Sequence, residues 1–253
     1  MPSKAVVKAV AELRDAAERE RTGRVLIEGP HLAFEALRRG VLLELFIADD
    51  CREGVELARA AKESGVACEP ATASDLDRMA EVRTPAGVVG VARRNAPQAA
   101  AALLREHDVL VYFEAVQDPG NVGTVARTAA AFGVGALLFG PGSVDPTAPK
   151  SLRASAGALL DAPYARDVGI EVLLDAASAT GHVVVVADVR QGVDYRRIAP
   201  LPRRILAIAN EGAGTRIPLG SERVLRTTIP LAPGCESLNV AAAAAILLDR
   251  LRG

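Results

Sequence analysis

A chain of 253 residues that is 50% hydrophobic and 24% charged carries enough apolar side chains for two modest domains or one large α/β domain, and intrinsic disorder is excluded. Aromatic residues make up 3% of it, with no Trp, which argues against a surface built to stack many single-stranded bases. A net charge of −1 excludes a uniformly basic nucleic-acid binder, so any such contact must come from a local patch.

In chain order, residues 4–21 form a charged amphipathic segment that predicts one helix, and residues 24–28 are a short apolar run closed by Gly29-Pro30, which predicts a strand and a turn. Alternation continues with a helix over 31–39, a strand over 43–48, a helix over 54–63, a strand over 66–69, a helix opening at Ser74 and a strand over 87–92. Together these make a small α/β layer unit. The Pro-containing, Ala-rich stretch that follows reads as a linker or a linking helix. Domains are therefore expected at 1–93 and 107–253, joined through 94–106. Beyond it the pattern predicts strands over 109–113 and 136–139, with a helix over 122–132 between them. Helices near 150–158 and over 170–180 come next, then strands over 182–187, 205–209 and 226–230 and a closing helix over 238–251. The strands at 182–187 and 205–209 are apolar throughout, as a parallel sheet covered on both faces requires.

Cys51, Cys68 and Cys235 have no C-x-x-C spacing and leave one over, which fits a reducing compartment. His31, His107 and His182 are isolated from them, so no metal is expected. The first twenty residues lack the apolar stretch of a leader, and the longest apolar runs, 183–187 and 240–248, are too short to span a membrane. A cytoplasmic protein is expected.

Three loops at the carboxyl ends of predicted strands are the candidate sites. The first runs E-A-V-Q-D-P-G-N-V-G-T-V-A-R over 114–127. As plain turn chemistry, Pro119-Gly120 makes a turn, Asn121 caps the helix and Gly133 ends it. Yet Arg127 stands about two turns in, roughly 9 Å from the cap, where a long side chain leaning toward the N-terminus reaches the loop mouth. The second loop, A-N-E-G-A-G over 209–214, delivers Asn210 and Glu211 to the same sheet edge. In the third, P-G-C-E-S-L-N over 233–239, Ser237 or Asn239 can cap the last helix, whose Ala run lets a neighbour approach closely. The glycines satisfy neither G-x-G-x-x-G nor the P-loop pattern, which disfavours a dinucleotide-dependent oxidoreductase. H-E-x-x-H and G-x-S-x-G are likewise missing.

These three segments, in this order and at these spacings, resemble the signature motifs of the SpoU branch of the SPOUT superfamily of RNA ribose 2'-O-methyltransferases, from about Val109 onward. Residues 23–40 and 84–91 are similar to the L30e/L7Ae-type substrate-binding domain that precedes the catalytic domain in many members acting on ribosomal RNA. The resemblance implies an α/β protein in which a small L30e-like domain precedes a trefoil-knotted domain with a mostly parallel sheet. It further implies an S-adenosylmethionine cofactor, an RNA partner and a homodimer formed through the catalytic domain. Carried over by position, Asn121, Arg127, Glu211, Ser237 and Asn239 are the expected catalytic residues, and Ala209, Gly212, Ile229, Leu231 and Leu238 the expected cofactor contacts. Ala209, Thr215 and Ala241 depart from the family's usual Gly, apolar residue and Ser. Arg38, Arg39, Arg93, Arg94 and Arg153, with Lys150, are candidate RNA contacts. The expected reaction is methylation of a ribose 2'-hydroxyl in 23S ribosomal RNA. A transfer-RNA substrate, or a catalytically silent RNA binder of the same fold, are the alternatives.

Overall fold

The computed structural model describes residues 1–83, 85–189, 191–210, 214–218 and 220–252. Thr84, at the head of the stretch resembling the substrate-binding domain, lies outside them, as do Glu211 and Gly212 of the second loop. The chain divides into two units, residues 1–96 with 145–161, and residues 97–144 with 162–253.

The first unit opens with α1 (Lys4–Glu12) and α2 (Ala16–Thr22), followed by β1 (Arg24–Glu28), α3 (Pro30–Arg38), β2 (Leu42–Ala48), α4 (Arg52–Glu63), β3 (Ala67–Ala71), α5 (Ala73–Met79) and β4 (Val88–Arg93). The second begins with α6 (Ala100–Glu106), β5 (Val109–Glu114), α7 (Pro119–Ala131) and β6 (Ala136–Phe139). The chain then returns to the first unit for α8 (Pro149–Ala154) and a 3-10 turn (Ala158–Leu160). It completes the second with β7 (Tyr164–Ala165), α9 (Ile170–Thr180), β8 (Val183–Ala187), β9 (Val193–Asp194), a 3-10 turn (Tyr195–Arg197), β10 (Arg204–Ala209), β11 (Val224–Thr228) and α10 (Val240–Leu251).

The first sheet is mixed, in the order β1-β4-β2-β3, with β4 antiparallel to both neighbours and β2 parallel to β3. The second has seven strands in the order β7-β6-β5-β10-β8-β11-β9, and every pairing is parallel. Its central strands are apolar along their length because both faces are covered. Leu110, Tyr112, Val184, Val186, Ile205 and Ala207 pack in one core with Leu103 and Leu104 of α6 and Leu173 and Ala177 of α9. The alternate residues Val111, Phe113, Val185, Leu206 and Ile208 are also buried, on the face where α10 packs against β10 and α7.

The single helix expected over 4–21 is two. Asp15 caps α2 by accepting from the Ala17 N–H at 2.8 Å. The break is fixed from behind by Arg19, 2% exposed, which donates to the carbonyls of Leu13 and Arg14 at the end of α1 and pairs with Asp145 at 2.7 Å. The two-residue strands β7 and β9 are too short to leave a periodic signal, and α6 lies within the expected linker. Residues 145–161 pack with the first unit, although in chain order they fall inside the second expected domain.

Candidate active site

The polar residues of the first and third loops meet. Asp118, and not Asn121 as expected, caps α7: its Oδ1 accepts from the Asn121 N–H at 2.7 Å, and Pro119 occupies the first helical turn, where a missing N–H costs nothing. Asn121 is thereby freed for a long-range contact, and its Oδ1 accepts from Asn239 Nδ2 at 3.0 Å. Asn239 caps α10 as expected, its own Oδ1 accepting from the Ala241 N–H at 2.9 Å. Ala241 is buried and uses only its backbone here. Arg127 is exposed on α7 and makes no hydrogen bond or ion pair with another described residue.

Beside this junction, at the carboxyl edge of the parallel sheet, lies a cleft. Four of the expected cofactor contacts, Ala209, Ile229, Leu231 and Leu238, line it, together with Ser237. Ala209 occupies the wall as a small side chain at the end of β10. The expected catalytic residue Glu211 and the expected cofactor contact Gly212 lie outside the described residues.

Thr215, where the family resemblance leads one to expect an apolar residue, also lines the cleft. Its hydroxyl donates to Glu114 Oε2 at 2.7 Å, and the Arg216 N–H donates to Oε1 at 2.6 Å. Glu114 ends β5 and is 2% exposed, so these bonds satisfy a carboxylate that water cannot reach and tie the second loop to the first. The neighbouring Tyr112 hydroxyl is pushed up to about 12, first by burial and then by the Glu114 charge.

The sequence reading missed the third strand end that borders the cleft, Ala187, Asp188 and Val189 after β8. The signal was present: an acid directly after V-V-V-V-A is placed at the same sheet edge as Asn210. Largely aliphatic walls with a few polar groups (Asp188, Asn210, Thr215, Ser237) suit an amphipathic ligand that joins an aromatic base to hydroxyls and charges, and S-adenosylmethionine is such a ligand. No group of three or more His, Cys, Asp and Glu side chains able to hold a metal occurs among the described residues.

The candidate RNA contacts all fall in the first unit. Arg38 and Arg39 both pair with Glu35, and Arg39 also with Asp161. Arg93 is exposed and donates to the Gly40 carbonyl at 3.2 Å, and Arg94 is half-buried. Lys150 is exposed. Arg153 turns inward, pairing with the buried Glu28 and, at 3.1 Å, with Glu81. Its desolvation lowers the pKa of the guanidinium from the ordinary Arg value.

Residues 108–249 match the SpoU rRNA methylase family, and residues 4–90 match the MRM3-like substrate binding domain. The chain belongs to the SpoU rRNA methylase family. Among its relatives, the 23S rRNA (guanosine(2553)-2'-O)-methyltransferase RlmP of Bacillus subtilis is 34% identical over 248 residues, covering 98% of this chain and 96% of that protein. The 23S rRNA (uridine(2479)-2'-O)-methyltransferase of Streptomyces viridochromogenes is 29% identical over 245 residues, covering 93% and 85%. The fold matches a crystal structure of an AdoMet-bound rRNA methyltransferase from Sinorhizobium meliloti with a TM-score of 0.82 at 27% identity, covering 100% of this chain and 96% of that one.

Proposed function

We propose that the protein transfers the methyl group of S-adenosylmethionine to a ribose 2'-hydroxyl of 23S ribosomal RNA. The observation that carries this reading is the convergence of the family's motifs on one cleft: the Asn121–Asn239 bond joins the first and third loops beside walls that hold four of the expected cofactor contacts. The relatives that act on 23S rRNA support ribosomal over transfer RNA.

When bound, the donor supplies an electrophilic methyl on a positively charged sulfur, so the protein's task is positioning and charge stabilisation. Holding oxygen, carbon and sulfur in line can lower the barrier by about 7–11 kcal/mol. Arginine side chains are cations at physiological pH, so the role of Arg127 is to clamp the neighbouring phosphate and stabilise charge developing on the 2'-oxygen, whose proton passes to that phosphate or to water. Asn121 and Asn239 orient the ribose edge of the site, Glu211 steers Arg127 or the ribose, and Ser237 fixes the third loop against the donor. Gly212 completes the cofactor contacts with backbone groups. The reading includes a homodimer through the catalytic domain, a trefoil knot in the second unit and work in the cytoplasm. No helix among the described residues is long and apolar enough to cross a membrane. Residues 1–93 present the RNA, with Arg38, Arg39, Arg93 and Arg94 as contacts, while Arg153, taken up by Glu28 and Glu81, serves the fold of the unit.

The test is incubation of the purified protein with methyl-labelled S-adenosylmethionine and, in separate reactions, a 23S rRNA transcript or bulk tRNA. Label in an alkali-resistant dinucleotide of the 23S transcript is expected. Label in tRNA alone overturns the ribosomal substrate, and label in neither overturns the activity. Arg127→Ala should lower kcat about 100- to 1000-fold, the size of losing one preorganised charge-stabilising donor, with little change in donor affinity. Near-full turnover by Arg127→Lys would refute the need for a forked cation.

A further inference from the structure

The stretch after β8 is stapled to β11 by a set of bonds that the proposed chemistry leaves unused. Asp188 donates its N–H to the Thr227 carbonyl at 2.9 Å, and the Thr227 hydroxyl donates to the Val193 carbonyl at 2.9 Å. Arg226 donates to Gln191 Oε1 at 2.7 Å and pairs with Asp188 Oδ2 at 3.2 Å, while the Gln191 N–H donates to Asp188 Oδ1 at 3.0 Å. Between them Gly192, at φ +134°, lies so close to β11 that a Cβ there would stand 2.8 Å from the Arg226 carbonyl. The stapled parts are walls of the same cleft: Ala187, Asp188 and Val189 on one strand end, Thr227 and Ile229 on the other.

Asp188 is the one acid among the described residues that line this cleft, and its side chain is 18% exposed. With the Arg226 guanidinium already against it, a second cation gains little there, whereas a neutral hydroxyl donor gains a charge-assisted hydrogen bond. The aliphatic neighbours Ala187, Val189 and Ile229 suit a flat base next to such a hydroxyl.

We propose that Asp188 is a specificity-determining residue that accepts hydrogen bonds from the ribose hydroxyls of the methyl donor, and that Arg226 is the positioning residue that holds its carboxylate in place. The inference rests on the donor reading above and adds to it the part of the donor that is read.

The test is calorimetric binding of S-adenosylhomocysteine and of its 2'-deoxy and 3'-deoxy analogues to the full-length protein, to Asp188→Asn and to Arg226→Gln and Arg226→Lys. Asp188→Asn keeps the side chain's shape and should weaken S-adenosylhomocysteine about ten- to a hundredfold, the scale of a hydrogen bond to a charged group. The analogue lacking the contacted hydroxyl should bind Asp188→Asn and the unaltered protein alike. Arg226→Gln should lose the same hydroxyl discrimination, and Arg226→Lys should restore part of it, which a merely structural role would not do. An equal loss for all three ligands, or no loss at all, overturns the role of Asp188. Failure of the unaltered protein to bind any of the three overturns the donor reading as well.

Discussion

Asn239 serves two partners at once, closing the first turn of α10 through its oxygen and reaching Asn121 through its nitrogen. Asn239→Ala should therefore cost about 0.5–2 kcal/mol in denaturant unfolding from the lost cap alone. Asn239→Asp keeps the accepting oxygen but removes the donor to Asn121. It should unfold at nearly the same denaturant concentration while methyl transfer falls, and an unchanged rate would mean that the Asn pair is only scaffolding. His182 gives a prediction with a sign. It is fully buried, its Nε2 lies 3.0 Å from the His107 carbonyl and its Nδ1 2.7 Å from the Thr180 hydroxyl, and desolvation lowers its pKa. A group that resists protonation when folded binds more protons when unfolded. Stability should thus be complete above about pH 6.5 and fall as the pH drops below it. Asp145 acts in a lower window. Burial opposes its charge, yet hydrogen bonds from Arg19 and Thr147 outweigh burial and hold its carboxyl below the usual range. Its contribution is present above about pH 4 and lost as the pH falls through the lowered value. Thermal unfolding followed from pH 7 to 5 should lose its slope in His182→Gln, and a slope that persists would assign it to another group.

Helices and strands with a continuous apolar face were legible, because burial alone sets their period: β8, β10 and α7 stand where the pattern of hydrophobic residues puts them. What was not legible depends on partners far away in the chain. The break between α1 and α2 is held by Arg19 on Asp145, and the shift of the α7 cap from Asn121 to Asp118 matters because Asn239 claims the Asn121 side chain. Asp188 is an intermediate case: an acid directly after an all-apolar strand is a signal in the sequence, but it reads equally as a solvated turn until the sheet order sets β8 beside β10. Tight packing at the end of β6 is also invisible in sequence. A Cβ on Gly140 would stand 2.4 Å from the Tyr112 hydroxyl, which donates to the Val168 carbonyl at 3.0 Å, linking β5 to the segment after β7. Gly140→Ala should destabilise by about 1–3 kcal/mol as overpacking. The loss should shrink in a Tyr112→Phe background, where the clashing oxygen is gone, and strict additivity of the two changes in a double-mutant cycle would disprove the clash.

At the scale of the molecule, the chain's excursion through residues 145–161 makes the first unit discontinuous, and two buried acid–base contacts of that unit depend on it. Asp145 neutralises Arg19, whose side chain is 3% exposed. Arg153 pairs with Glu28, whose side chain is 2% exposed and whose Oε1 accepts from the N–H groups of Glu81 and Val82 at 2.6 and 3.1 Å. A fragment ending at residue 96 would strip Arg19 and Glu28 of their counter-charges, and breaking such a buried pair by removing one partner costs about 3–5 kcal/mol. Such a fragment should melt lower and less cooperatively than one in which 145–161 is rejoined through a flexible linker. Adding the 145–161 peptide in trans should raise its melting temperature in proportion to the logarithm of peptide concentration once binding is saturating. If the short fragment melts as high as the rejoined one, with no response to peptide, the excursion is a passenger on a self-sufficient fold. If it responds, any design that exchanges substrate-binding units between relatives must carry 145–161 along with 1–96, because the charges that hold the unit together are split between the two segments.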